Sequence, residues 1–227
     1  MQARGRTVQG VLSEKLRMFL KEDIKPTGSG RTDTGVHALA QYANFFTLSL
    51  MDAETIAYKL NRMLPPDIAV TGCAEVPSGF NARRDAGRRT YRYLICERLS
   101  AINRGLSWVV GRRFDIEILN QAARVAESAR SFHNFCKVKS RKRDNACRIY
   151  RSCWSRYAGF LRYEITADRF LHNMVRYLVG AMTAVSEGRE NLEDFKNRFG
   201  NSDNKSKYLA PPHGLYLANV EYEGIKL

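Results

Sequence analysis

The run IYRSCWSRYAGFLRYEITADRFLHNMVRYLVGAMTAVS, Ile149 to Ser186, holds the local patterns on which the fold reading turns. Ile149–Tyr157 and Phe160–Ala167 read as two strands. Ala158-Gly159 between them is a two-residue hairpin turn. The period then changes. From Phe170 to Ser186, Leu171, Met174, Val175, Leu178 and Met182 recur at helical spacing, predicting a long helix with one apolar stripe. A hairpin followed by such a helix predicts an antiparallel sheet with helices on one side.

The rest of the chain repeats this style. Asp115 opens a helix through Ile118, Leu119, Ala122 and Val125, and a short helix near Leu192–Phe199 leads through a basic loop to Pro211-Pro212 and a last strand, Leu215–Tyr222. In the first half, Thr7 is the expected N-cap of a helix on Val8, Leu12, Leu16 and Phe19. A glycine-rich loop, Gly28–Gly35, precedes an expected strand over Ala38–Leu48. Asp52 caps a second helix on Ile56, Leu60, Met63 and Leu64, which Pro65-Pro66 stops. Short strands are expected around Ile68–Val76 and Thr90–Cys96. The chain thus reads as α+β, in two ferredoxin-like units with mostly antiparallel sheets, residues 1–104 and 105–227.

Composition narrows the function classes. The 227 residues are 44% hydrophobic, enough for a real core. No apolar run reaches the roughly 20 residues of a membrane span, and Arg4 and Arg6 precede no signal-peptide run, so no membrane role and a cytoplasmic address are expected. Thirty-seven Lys and Arg against 23 Asp and Glu leave a net charge of +14, which points to a polyanionic partner. The cations cluster: Arg83, Arg84, Arg88, Arg89 and Arg92 in one stretch, Lys137, Lys139, Arg141, Lys142 and Arg143 in another. Cys73, Cys96, Cys136, Cys147 and Cys153 contain no CxxC pair, so free thiols and no metal site are expected.

The chemistry concentrates in GSGRTDTGVHA, Gly28–Ala38. Its glycines make a tight loop that backbone or ligand can approach closely. The loop opens a strand rather than a helix, so it matches neither the Walker pattern nor the dinucleotide fingerprint. An Asp in such a turn is commonly a turn residue, bonding its own backbone. A second pattern, Arg169, His172, Asn173 and Arg176, lies opposite the apolar stripe of the long helix.

Read as a whole, GRTDTGVHA resembles the active-site loop of tRNA pseudouridine synthases of the TruA type. The similarity continues in order through RTVQGVL (Arg6–Leu12), LPPDIAV (Leu64–Val70), FNARRDAGRRTYRYLI (Phe80–Ile95), SFHNFC (Ser131–Cys136), FLHNMVRYLVG (Phe170–Gly180) and APPHGLYL (Ala210–Leu217). The resemblance implies a pseudouridine synthase core, no metal or organic cofactor, a homodimer, and tRNA as partner. It implies isomerisation of uridine at tRNA positions 38, 39 and 40 of the anticodon stem-loop. It makes Asp33 the catalytic carboxylate, attacking either the sugar carbon C1′ or C6 of the base. Arg176 is the second active-site charge, and Arg31 a nearby cation able to favour ionised Asp33 or hold a phosphate. Tyr91 is the residue that faces the extruded base, with Arg89 and Arg92 beside it as substrate-binding cations. His172 is either structural or RNA-facing, and Phe132 and Phe135 are expected in the core. A tRNA-binding relative without catalysis is the alternative. The family's usual first strand has no counterpart before the RTVQGVL helix, so one strand of the first unit is expected to be missing.

Overall fold

A computed structural model of the chain describes residues 6–137, 145–200 and 204–224. Of the second basic cluster only Lys137 falls within them; Lys139, Arg141, Lys142 and Arg143 lie outside the described residues. The architecture is α+β with mostly antiparallel strands. Two compact units emerge. One comprises 6–31, 41–86 and 222–224; the other comprises 32–40 and the described residues of 87–221. This division differs from a cut at 104/105, because the strand expected to finish the first half pairs along its length with strands of the second.

In the first unit, α1 (Val8–Leu20) starts where the Thr7 hydroxyl accepts the Gly10 N–H, and α2 (Ala53–Met63) starts where Asp52 accepts from Thr55. Each cap meets N–H groups that the first helical turn leaves open. The two helices bury Leu16, Leu20, Ile56 and Leu60 together with Ile24. Two short strands, β1 (Thr27–Gly28) and β3 (Ala43–Asn44), pair antiparallel. The expected strand over 38–48 is thus reduced to a few ladder residues, and no strand forms over 68–76. There the side chain of Asn61 takes the place of a neighbouring strand. Its Nδ2 donates to the Val70 carbonyl at 2.8 Å, and the Val70 N–H donates to its Oδ1 at 2.7 Å.

The second unit is built on one sheet, ordered β2 (His37–Ala38), β8 (Leu215–Tyr222), β4 (Ala86–Cys96), β7 (Phe160–Ala167) and β6 (Ile149–Tyr157), with β5 (Trp108–Val109) parallel to the end of β4. β4 and β7 run antiparallel from Arg89 opposite Ala167 to Ile95 opposite Leu161. The β6–β7 hairpin closes through Ala158 and Gly159, both with positive φ, as a two-residue turn of this twist demands. Alternate residues Leu161, Tyr163, Ile165 and Ala167 are buried and their neighbours are not. The buried face carries α3 (Ile116–Ser128, capped by Asp115) and α4 (Met174–Ser186). Leu119, Ala122, Leu178 and Met182 fill the layer between. Phe132 and Phe135 are fully buried there, with Phe195 of α5 (Leu192–Asn197) and Phe199 against them.

The long helix is shorter than its sequence pattern. Residues 171–174 form a turn closed by the Met174 N–H on the Leu171 carbonyl, and α4 begins at Met174 because Asn173 is left-handed, with φ 66°. A residue in that conformation cannot continue a right-handed helix.

Burial also sets an alkaline limit. Tyr93 and Tyr163 are fully buried, donating to or sharing hydrogen bonds with the Pro211 carbonyl and the Ser152 hydroxyl, and burial raises both phenol pKa values. Above the ordinary phenol pKa the unfolded chain loses these protons while the folded chain keeps them. Stability should therefore fall with rising pH from about pH 10 by about 1.4 kcal/mol per pH unit for each phenol. Urea unfolding at pH 9, 10 and 11 measures this; Tyr93→Phe should flatten the alkaline limb.

Candidate active site

Asp33 lies in a turn whose geometry the glycine dictates. The Val36 N–H donates to the Asp33 carbonyl at 3.1 Å, and Gly35, at φ 81°, takes the position where a type II turn needs a left-handed residue. A side chain there would also meet the ring of Pro212, whose Cγ lies 3.1 Å from the position of a Cβ. β2 then carries the chain onto β8. This short passage brings the Asp33 carboxylate to the start of α4.

Two donors meet that carboxylate. His172 Nε2 stands 3.0 Å from Oδ1, and Arg176 Nη1 stands 3.1 Å from Oδ2. An ionised carboxylate only accepts, so Nε2 is the ring nitrogen that carries the proton. The Asp33 side chain is 21% exposed and that of Arg176 13%. The acid is shielded but open to a ligand. Its oxygens offer about four lone-pair directions, of which two are taken.

Arg176 is itself held from three sides. Its Nε donates to the Ala210 carbonyl at 2.8 Å, and Nη1 also reaches Asn173 Oδ1 at 3.2 Å. The Ala210 N–H returns a bond to the Arg176 carbonyl at 3.1 Å. Gly180 explains how the Tyr208–Ala210 segment lies so close to the helix, since a Cβ there would stand 2.6 Å from the Tyr208 carbonyl oxygen. Tyr93, one layer below, fixes the same segment through the Pro211 carbonyl at 2.8 Å.

Tyr91 stands on the helix-covered side of β4, two residues before Tyr93, with its ring edge-on to Phe170 at 4.9 Å between centroids. Burial pushes its phenol pKa up to about 12, against Arg89, whose charge lowers it, and with Asp33, whose charge raises it. The hydroxyl is neutral at physiological pH and can donate or accept. Arg89 donates to the Asp168 carbonyl at 2.9 Å. Arg92 lies on the opposite side of the strand and pairs with Glu164 at 2.8 Å. Arg31 is exposed. Among the described residues the side chains that donate to the Asp33 carboxylate are those of His172 and Arg176.

The structure therefore brings Asp33, Arg176, His172, Tyr91 and Arg89 to one end of the sheet and leaves Arg92 on its other face. The spacing Arg169, His172, Asn173, Arg176 is not a helical face, because three of the four precede α4. Sequence reasoning placed Asn173 on a polar helical face rather than as a support of Arg176, and it missed Ala210, the Phe170 contact and the Tyr93–Pro211 bond. An Asn just before the apolar stripe is the one local signal for the support by Asn173. Backbone carbonyls such as that of Ala210 leave no mark in sequence. No group of three or more potential metal ligands occurs among the described residues.

Comparison with known proteins finds relatives along nearly the whole chain. Residues 1–102 and 129–223 match the family model described as tRNA pseudouridine synthase. A protein of Bacteroides thetaiotaomicron named tRNA pseudouridine synthase A is 38% identical over 98% of this chain and 84% of its own length. Proteins of the same name from Parabacteroides distasonis and Dictyoglomus thermophilum are 35% and 36% identical, over 98% and 96% of this chain and 89% and 90% of theirs.

The close approach at Gly180 is open to test. Gly180→Ala should overpack the helix against Tyr208 and cost about 1–3 kcal/mol. Gly72→Ala, where a Cβ meets nothing within 4 Å, should stay within about 0.5 kcal/mol of the parent. Denaturant midpoints compare the two; equal midpoints would mean that the Tyr208–Ala210 segment yields without cost.

Proposed function

Because this chain belongs to the tRNA pseudouridine synthase family, a family of isomerases acting on tRNA, we propose that it converts uridine to pseudouridine at positions 38, 39 and 40 of the anticodon stem-loop, with Asp33 as nucleophile. The observation that carries this reading is the Asp33 carboxylate, partly exposed and oriented by His172 and Arg176 beside a neutral tyrosine. The family resemblance alone extends the reading to a homodimer working in the cytoplasm without metal or organic cofactor.

The reaction breaks the N1–C1′ bond, turns the uracil and rejoins it through C5, which loses its hydrogen. Attack by a carboxylate oxygen at C1′ expels the uracil with the bonding pair, and C5 of the turned uracil then displaces the carboxylate from C1′; attack at C6 adds the oxygen to the base, primes the same cleavage and is undone by elimination of the carboxylate after C5 has joined C1′. On either route C5 gives up its proton to solvent and N1 takes one up, so Asp33 ends free. Either route needs an oxygen aimed at a fixed point, and two donors on separate oxygens supply that aim. Tyr91 offers a flat ring for a base taken out of its stack. His172 and Arg89 flank the carboxylate and the ring, where they can meet flanking phosphates. Exposed Arg31 and outer-face Arg92 are assigned to RNA backbone contacts away from the reacting atoms.

Asp33→Asn tests the assignment directly. Asn keeps the shape and the turn but is a poor nucleophile. Release of tritium from C5-labelled uridine in tRNA should fall at least about a thousandfold, with tRNA affinity changed by less than about threefold. Release within about tenfold of wild type would remove Asp33 from the mechanism.

Two further substitutions divide the pocket. Arg176→Lys should slow the reaction at least about tenfold, because one ammonium cannot serve Ala210, Asn173 and Asp33 as the planar fork does. Tyr91→Ala should lose stacking worth about 1–3 kcal/mol, whereas Tyr91→Phe keeps the ring. Wild-type rates for both alanine and lysine variants would place the reacting base elsewhere.

A further inference from the structure

A second cationic site lies where the C-terminal end of α3 meets the start of β6. Arg124, Arg130 and Arg148 line an open pocket of about 450 Å³ together with Glu127 and Tyr150. Arg148 stacks over the Tyr150 ring at 5.1 Å, and Arg88 of β4 stacks over the same ring at 4.2 Å. A guanidinium on an aromatic ring keeps its N–H groups in the ring's plane direction, free to bond a ligand.

The charge here is not neutralised internally. On the outer face of the sheet, Arg92 and Arg151 share Glu164 at 2.8 and 3.4 Å. By contrast, Arg124, Arg130 and Arg148 have no carboxylate within ion-pair distance among the described residues, and Arg88 only reaches Glu221 at 4.0 Å. Glu127, the acid on the wall, already accepts the Ser152 N–H at 2.9 Å and feels Arg151. Three arginines line one concave surface with a single, engaged carboxylate, and Arg88 adds a fourth guanidinium over the Tyr150 ring. Such a surface fits a polyanion.

The pocket is also wired to the proposed active site. The Arg148 N–H donates to Asp168 Oδ1 at 2.9 Å, and Arg89 donates to the Asp168 carbonyl at 2.9 Å. Arg89 acts electrostatically on Tyr91. A strand of phosphates leaving the nucleotide at Tyr91 thus has a run of cations to follow: Arg89, Arg148, then Arg124 and Arg130.

We infer that this pocket is a second RNA-binding site, gripping phosphodiesters of the tRNA outside the nucleotide being modified. The inference rests on the proposed function for its choice of polyanion. Because Tyr150 presents its ring to guanidinium groups, the site reads backbone charge and not base identity.

The test compares wild type with a triple variant, Arg124→Gln, Arg130→Gln and Arg148→Gln, for binding of unmodified tRNA across salt concentrations. The slope of log affinity against log salt should become shallower by about 0.7–0.9 for each phosphate that the variant no longer neutralises, and affinity at moderate salt should drop at least about fivefold. The first-order rate with the tRNA saturated should stay within about twofold, since the pocket touches no reacting atom. Replacing the same three arginines by lysine should restore most of the slope, a point charge sufficing for a phosphate. Unchanged affinity and slope in the glutamine variant would overturn the inference, as would weaker binding with an unchanged slope or a slowed saturated rate at normal affinity. Absence of pseudouridine formation by wild type would instead sink the proposed function, leaving the binding comparison to decide the pocket.

Discussion

One guanidinium organises the candidate active-site end of the sheet. Arg176 donates to the Asp33 carboxylate, to the Asn173 amide oxygen and to the Ala210 carbonyl, so a single planar group ties the glycine-turn loop, the start of α4 and the segment before β8. These stretches are far apart in sequence and share no ladder with each other at these points. Fixing them by one rigid fork costs less order than fixing each separately. It also means that the side chain that faces the carboxylate is the one that holds the scaffold together.

That arrangement is possible because the layer beneath it is unyielding. Tyr93, Tyr163, Leu161 and Ile165 point from the sheet into α3 and α4 and are fully buried. Tyr93 adds a polar tie, its hydroxyl reaching the Pro211 carbonyl. Where the helix and the Tyr208–Ala210 segment come closest, glycine is the residue with room for backbone against backbone. Asn173 adopts a left-handed conformation that non-glycine residues disfavour, whereas Gly35 makes the turn beside Asp33 without that cost.

Charge is distributed by the same sheet. The covered face holds Tyr91 and Arg89 at its functional end, while the other face pairs Arg92 and Arg151 on Glu164. The strand period of two separates residues that are neighbours in the sequence into different tasks. Arg89 and Arg92 look alike along the linear chain; one belongs to the carboxylate's surroundings and the other to an ion pair on the opposite surface.

Much of this was legible in the sequence. The caps at Thr7, Asp52 and Asp115, the hairpin from Ile149 to Ala167, and the burial of Phe132 and Phe135 follow from local chemistry and periodicity, which act within a few residues. The glycine loop pointed to Asp33 as a candidate, through its resemblance to a known active-site loop rather than through composition. What the sequence could not settle depended on partners distant along the chain. The expected strand over 68–76 is absent because the Asn61 side chain bonds Val70 where a strand would have to. The start of α4 moved to Met174 because Asn173 adopts a left-handed conformation next to Arg176. Arg31 is two residues from Asp33 in the chain, yet the donors on its carboxylate are His172 and Arg176. Periodicity and caps are short-range and written in neighbouring residues; the choice of which donor meets which acceptor is made only when the sheet and helices have brought them together.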